Sequence, residues 1–269
     1  MLNSALRDYF PDEDYRFYLR LGQMPLAEFF QPTAAHTQIV AERKRILRAH
    51  APRCLAREPA AAPLLEETLE LARAWGAIPD DATGRDALHV LGEEWEVDFL
   101  VLKPDERGEL RLLGGCVCFP SSWALEEKIG RPLPTIHEPV PGLNTALAAP
   151  ITSFLRRLRP GLAFTRWNWG LSRHAQLNQH PALNLTRLAP PLRLEDVWVR
   201  LEDQALVALP RSGGVLFGIR IWVIPLTEVK ADAEAARRLH RAIATMPEPM
   251  ARYKNLWAAR DDLLRLLAA

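Results

Sequence analysis

The chain has 269 residues, is 48% hydrophobic and 25% charged, and carries a net charge of +1. That length suits one large domain or one domain with extensions, and the composition is that of an ordinary globular protein. The charge balance offers no footprint for nucleic acid or an anionic membrane, and three cysteines, Cys54, Cys116 and Cys118, cannot make a disulfide framework, a four-thiolate zinc site or an iron–sulfur cluster.

The first residues, MLNSALRDYFPDEDY, turn acidic at once and lack the apolar run of a secretory signal; no stretch approaches a membrane span, so a cytoplasmic protein is expected. Asn184-Leu185-Thr186 matches a glycosylation sequon, which in that context reads as chance. Residues 1–31 are rich in rings and prolines and predict an aromatic wrap with little regular structure. A helix is expected from Pro32-Thr33 to about His50, then a loop, PRCLAREPAAAP, then an amphipathic helix from Leu64 to Trp75 stopped by Gly76.

From about residue 88 the period changes. Val97–Leu102 and Leu110–Phe119 predict a hairpin, with Gly114-Gly115 marking a bulge or a close approach. After Pro120 the spacing predicts a two-turn helix, capped by Ser121 or Ser122 and closed by Lys128 and Gly130. Ile136-His137-Glu138-Pro139-Val140-Pro141 follows as a segment stiffened by two prolines around one histidine. Asn144–Leu158 is helical. Strands are expected at Ala163–Trp169, Val197–Leu206 and Gly214–Ile224, and helices at Ala231–Ala244 and Met250–Leu267. About five mainly antiparallel strands with inserted and flanking helices make an α+β fold: a single domain with an N-terminal helical extension (1–87), a core (88–226) and C-terminal helices (227–269).

Alternation places Arg166 and Asn168 on one face of their strand, with Trp167 and Trp169 on the other; Arg200, Glu202 and Gln204 share a face of the next strand. These polar groups read either as an ion-pair network or solvated face, or as the lining of a polar cavity inside the sheet. His137, alone among the seven histidines, has rigid neighbours, and from the residues alone it reads as a structural histidine or as a ligand. His174 and His180 give a weak H-x5-H metal spacing. Cys116 and Cys118 read as core packing. There is no phosphate loop, dinucleotide fingerprint, nucleophile elbow or H-E-x-x-H, and no C-x-x-C-H for covalent haem attachment.

The runs CFPSSW (118–123), KIGRPLPTIHEPVPG (128–142), RWNW (166–169) and RLEDQALVALPRSGGVLFGIR (200–220) resemble the haem-dependent oxidative N-demethylase α-subunit family. Weaker likeness extends to YRFYLRLG near the N-terminus and ARYKNLW near the C-terminus. The resemblance implies a PAS-like sheet binding non-covalent haem b, with His137 as the proximal iron ligand. Trp123, Pro139, Val140, Asn168 and Trp169 would lie around the cofactor. Arg166 would stand on the distal side, donating to bound dioxygen, and Glu202 would hold the substrate ammonium.

The implied reaction is oxygen-dependent demethylation of a small secondary N-methylamine to primary amine and formaldehyde. Its electrons would come from an external flavin/iron–sulfur reductase. A haem-PAS gas or redox sensor, or a haem-binding protein without turnover, is the alternative; Glu202 favours the enzyme. The family usually reads E-R-Q-T-L where this chain has Glu202-Asp203-Gln204-Ala205-Leu206, and Glu-Asp where it has Val97-Asp98. The Asp203 and Ala205 departures are expected to bear on the pocket's shape and the choice of amine.

Overall fold

The computed structural model describes residues 5–80 and 84–268. Its frame is a seven-stranded antiparallel sheet, β1 (Gly22–Pro25), β2 (Leu55–Arg57), β3 (Asp98–Pro104), β4 (Leu110–Cys116), β5 (Leu162–Ser172), β6 (Trp198–Leu209) and β7 (Gly214–Pro225), in the order β1-β5-β6-β7-β3-β4-β2. The helices are α1 (Leu26–Phe30), α2 (His36–Cys54), α3 (Ala62–Ala74), α4 (Ala87–Glu94), α5 (Leu133–His137), α6 (Leu143–Arg156), α7 (Leu226–Ala231), α8 (Ala233–Thr245), α9 (Glu248–Tyr253) and α10 (Arg260–Leu267). The fold is α+β. Among the described residues no helix is long and apolar enough to cross a membrane.

The five central strands are those that the sequence predicts. The two edge strands are not: β1 lies in the segment expected to lack regular structure, and β2 lies in the expected loop. Both are short, and their extended state comes from pairing with the edges of β5 (Gly22↔Thr165) and β4 (Leu55↔Cys116) rather than from propensity. The N-terminal extension is therefore not purely helical; it supplies both ends of the sheet. The Gly114-Gly115 expectation holds. The register slips at Val101/Leu102, and a Cβ on Gly115 would sit 2.3 Å from the Phe99 carbonyl oxygen.

Several helical expectations change. Helix α2 bends at His50 (φ −142) and continues through Pro52 to Cys54. Helix α4 was not foreseen; Asp86 caps it by accepting from the Leu88 and His89 amides. The expected helix at 250–267 divides into α9 and α10, parted by Asn255 in the left-handed region (φ +58).

The two faces of the sheet are covered unequally. Ala205, Val207, Leu209, Leu216, Phe99 and Val101 pack against α1, α3 and α4 through Phe29, Phe30, Leu64, Leu65, Leu88 and Leu91. The same face continues along β5 and β6 as Trp169, Leu171, Val199 and Leu201, which lie under Leu226, Leu239, Ile243 and Leu263 of the C-terminal helices. On the opposite face, Leu100, Leu102, Leu112 and Val215 meet a thinner cover: Trp123, Leu133, Ile136, Leu155 and Leu158. That thinner cover is where a cavity forms.

Candidate active site

A cavity of about 520 Å³ opens between this face and the α5–α6 pair, lined by Leu110, Leu133, His137, Ile151, Leu155, Leu158 and Val215 among others. Its size and mostly apolar walls are those of a small-molecule or cofactor site.

His137 ends α5. The segment expected as a stiff loop is a short helix with Pro132 as its N-cap, followed by a turn closed by the Val140 amide on the His137 carbonyl (3.0 Å). The helix expected after Pro120 does not form. Ser122 takes φ +62, its amide and the Pro120 carbonyl pair with Gln179, and the Gly130 amide is drawn to Leu112; only one turn survives near Leu125. Long-range backbone pairing has taken the groups that a helix would have used.

The His137 imidazole makes no hydrogen bond or ion pair with any described residue. Burial, with the Arg166 charge adding to it, pushes its pKa down to about 4, so the ring is neutral with a lone pair to offer. Arg166 likewise has no hydrogen-bonded or ion-paired partner among the described residues. Burial lowers its pKa, against Glu202 and Tyr18, which raise it.

Cross-strand register sets the rest. Arg166 stands opposite Gln204, Asn168 opposite Glu202, and Gly170 opposite Arg200, so these side chains share the cavity face. Glu202 is fixed by three donors: Ser121 Oγ on Oε1 (2.7 Å), and Asn168 Nδ2 (3.1 Å) and Gln204 Nε2 (2.8 Å) on Oε2. Arg200 stands behind Ser121 (Nε–Oγ 3.3 Å) and donates to the carbonyls of Phe119, Gln176 and Leu177, stitching the 173–184 loop to the sheet. Its pKa falls to about 10, through burial foremost. Lys254 reaches in from the end of α9, donating to the Trp169 carbonyl (2.6 Å) and to Asn168 Oδ1 (3.4 Å). Burial pulls its pKa down to about 8, with Arg166 adding to the fall and Glu202 opposing it.

Of the residues singled out in the sequence, His137 lines the cavity itself, while Arg166, Asn168, Glu202 and Trp123 lie on the same side of the sheet but are not among the residues that line it. Three others do not lie on that side. Trp169 lies on the far face against Phe10 (ring centres 5.8 Å), because neighbours on a strand point to opposite faces and Asn168 takes the cavity side. Pro139 is exposed, and Val140 packs towards the C-terminal core.

Two residues of the site, Ser121 and Lys254, carry no site signal of their own in the sequence. Ser121 reads there only as a cap. Lys254 lies in a helix end whose turn at Asn255 was the one available signal. Asp203 and Ala205 also point to the far face: Asp203 accepts the Tyr9 hydroxyl and the Trp222 indole N–H, and Ala205 is core. Neither side chain faces the pocket.

His174 bonds to the Thr186 carbonyl and His180 to Glu126, so the H-x5-H pair is taken up locally. Cys54, Cys116 and Cys118 are buried in the core that packs against α1, α3 and α4, and Arg43 donates to Cys116 Sγ (3.1 Å) and pairs with Asp98 (2.5 Å).

The fold and site define an α+β protein with a largely apolar cavity, an uncommitted imidazole, an uncommitted guanidinium and an anchored carboxylate. A family model described as haem-dependent oxidative N-demethylase, alpha subunit-like, matches residues 72–264, and the chain belongs to that family. The description makes haem dependence and oxidoreductase chemistry of the N-demethylase kind its family context, and "alpha subunit" implies a partner subunit.

The residues fit haem. Among the described residues no group of three or more His, Cys, Asp or Glu could hold a metal ion. A single neutral imidazole on an apolar cavity suits an iron that arrives already chelated by a porphyrin.

Proposed function

We propose that the protein binds haem b non-covalently between the α5–α6 pair and the sheet, with His137 as its protein ligand, and demethylates a small secondary N-methylamine. One dioxygen, two electrons and two protons would convert the amine to primary amine, formaldehyde and water. The observation that carries the reading is the trio of His137 and Arg166, both without hydrogen-bonded or ion-paired partners among the described residues, and Glu202, held by three donors. The central strands support a PAS-like description: a hairpin, β3–β4, then two helices, then a meander, β5–β6–β7, whose last strand returns beside β3.

Bound haem would supply oxygen activation and the oxidation of the methyl carbon. The chain's own residues have separate tasks. His137, neutral at physiological pH, offers a nitrogen lone pair without first losing a proton. Arg166, whose charge acts on His137, supplies N–H donors that no described residue takes up, suited to a ligand that develops negative charge. Glu202 is an acceptor towards all three of its protein neighbours, and it fits an ammonium N–H. A sensor would not need a carboxylate braced in this way, so Glu202 favours the enzyme over a haem-PAS sensor. The electrons would come from a separate flavin/iron–sulfur reductase.

The test is to reconstitute the purified protein with haem and record its Soret band, then repeat with His137→Ala. Tight binding by the wild type and its loss in the variant are expected. Unchanged spectrum and affinity in the variant would remove His137 as the ligand. Turnover of a panel of N-methylamines with dioxygen and a reductase, followed as formaldehyde released, tests the reaction.

A further inference from the structure

The C-terminal run ARYKNLW (251–257) shares the family likeness, and the sequence alone gives it no part in the pocket. The structure brings one of its residues to the amine site. Helix α9 ends at Tyr253, and Asn255 in the left-handed region reverses the chain, as at many helix C-termini. Lys254 therefore reaches the end of β5. Its Nζ donates to the Trp169 carbonyl and to Asn168 Oδ1, and lies 5.0 Å from the centre of the Trp169 ring.

Asn168 is the link. Its amide nitrogen donates to Glu202 Oε2 while its oxygen faces the ammonium. A carboxamide has one donor end and one acceptor end, so a cation at the oxygen fixes which end meets Glu202. Turned over, the amide would set its oxygen against a carboxylate oxygen and its nitrogen against a cation. On Glu202 the result is asymmetric. Oε2 takes Asn168 and Gln204, whereas Oε1 takes only Ser121 among the described residues. A carboxylate has about four lone-pair sites, so the open acceptor position lies on Oε1.

We propose that Lys254 is a positioning residue for the amine site, holding the Asn168 amide so that Glu202 presents Oε1 to an N–H of a secondary methylammonium ion. The proposal rests on the reading of Glu202 given above. Lys254 acts through Asn168 and does not touch the substrate.

Calorimetric titration of dimethylammonium chloride into haem-reconstituted protein tests it. Lys254→Met should weaken binding about tenfold, with the Soret band and thermal midpoint kept, and Lys254→Arg should recover most of the loss. In an Asn168→Ala background, Lys254→Met should have no further effect. Additive losses, or a Lys254→Met protein that binds as tightly as wild type, overturn the proposal. If Lys254→Met does not fold, Lys254→Gln replaces it with the same expected loss, and wild-type affinity there has the same force. Wild-type protein that fails to bind the ion, or binds it equally after Glu202→Gln, overturns the Glu202 reading itself.

Discussion

Asp203 accepts the Tyr9 hydroxyl at 2.6 Å on the far side of the strand that presents Glu202 to the cavity. The same carboxylate takes the Trp222 indole N–H at 2.7 Å, so it ties the N-terminal segment to β6 and β7. A departure from the family pattern that reads as a change of pocket is a brace behind the sheet.

Asp203→Ala should therefore lower stability by about 2–4 kcal/mol, since it strands a buried hydroxyl and an indole N–H. Amine affinity should stay within twofold of wild type. Urea unfolding and calorimetric titration of the same protein separate the two; a variant with full stability and altered amine choice would return Asp203 to the pocket.

His137 sets a pH dependence in the haem-free protein. Burial foremost, with Arg166, holds its folded pKa at about 4, below the ordinary 6.5. Below pH 6.5 the unfolded chain takes up a proton that the folded chain refuses, so this residue's contribution turns against folding as pH falls, levelling off below about 4. At about 1.4 kcal/mol per unit, the full loss is about 3 kcal/mol. Chemical denaturation between pH 7 and 4 should show wild type losing more stability than His137→Gln; parallel curves would place the histidine in water.

Arg166 places a guanidinium near His137 with no hydrogen-bonded or ion-paired partner among the described residues, and burial lowers its pKa. Replacing it with methionine should raise the thermal midpoint of the haem-free protein by a few degrees, the usual exchange of function for stability. It should also let the His137 pKa rise, as seen by histidine NMR, and abolish turnover. An unchanged His137 titration would mean that the two groups do not share one space.

The buried Arg43–Asp98 pair is a matter of fold. Burial pushes the Asp98 pKa up to about 6 even beside Arg43, while for Arg43 the nearby Cys118, Cys116 and Asp98 outweigh burial and raise the pKa. The contacts argue for an ionised pair. Asp98 also accepts from the Cys118 and Phe119 amides (2.8 and 2.9 Å), which favours its charged form. Arg43→Met would leave that carboxylate buried without a cation, at a cost of about 3–5 kcal/mol. Guanidinium unfolding should show it; a loss under 1 kcal/mol would mean that Asp98 is protonated in the fold.

The five central strands were legible in the sequence, because apolar runs, alternation and turn residues are local properties that burial on a sheet then uses. The sequence by itself also determined that Arg166 with Asn168, and Arg200 with Glu202 and Gln204, share a face, and that Trp167 and Trp169 do not; a strand leaves no other choice. His137 stood out through its proline-rich surroundings, although the backbone there is a short helix rather than an extended loop.

Tertiary structure alone decided the edge strands β1 and β2, whose few residues are extended only because a neighbour offers unpaired backbone groups. It decided the fate of residues 121–130, where pairing with Gln179 and Leu112 outcompeted a locally plausible helix. It placed Ser121 and Lys254 beside Glu202 and Asn168 from 81 and 86 residues away. Contacts of that separation leave no periodic trace in a single chain. They exist because the sheet and the C-terminal helices bring their backbones together, and only then do hydroxyl, amide, carboxylate and ammonium find one another.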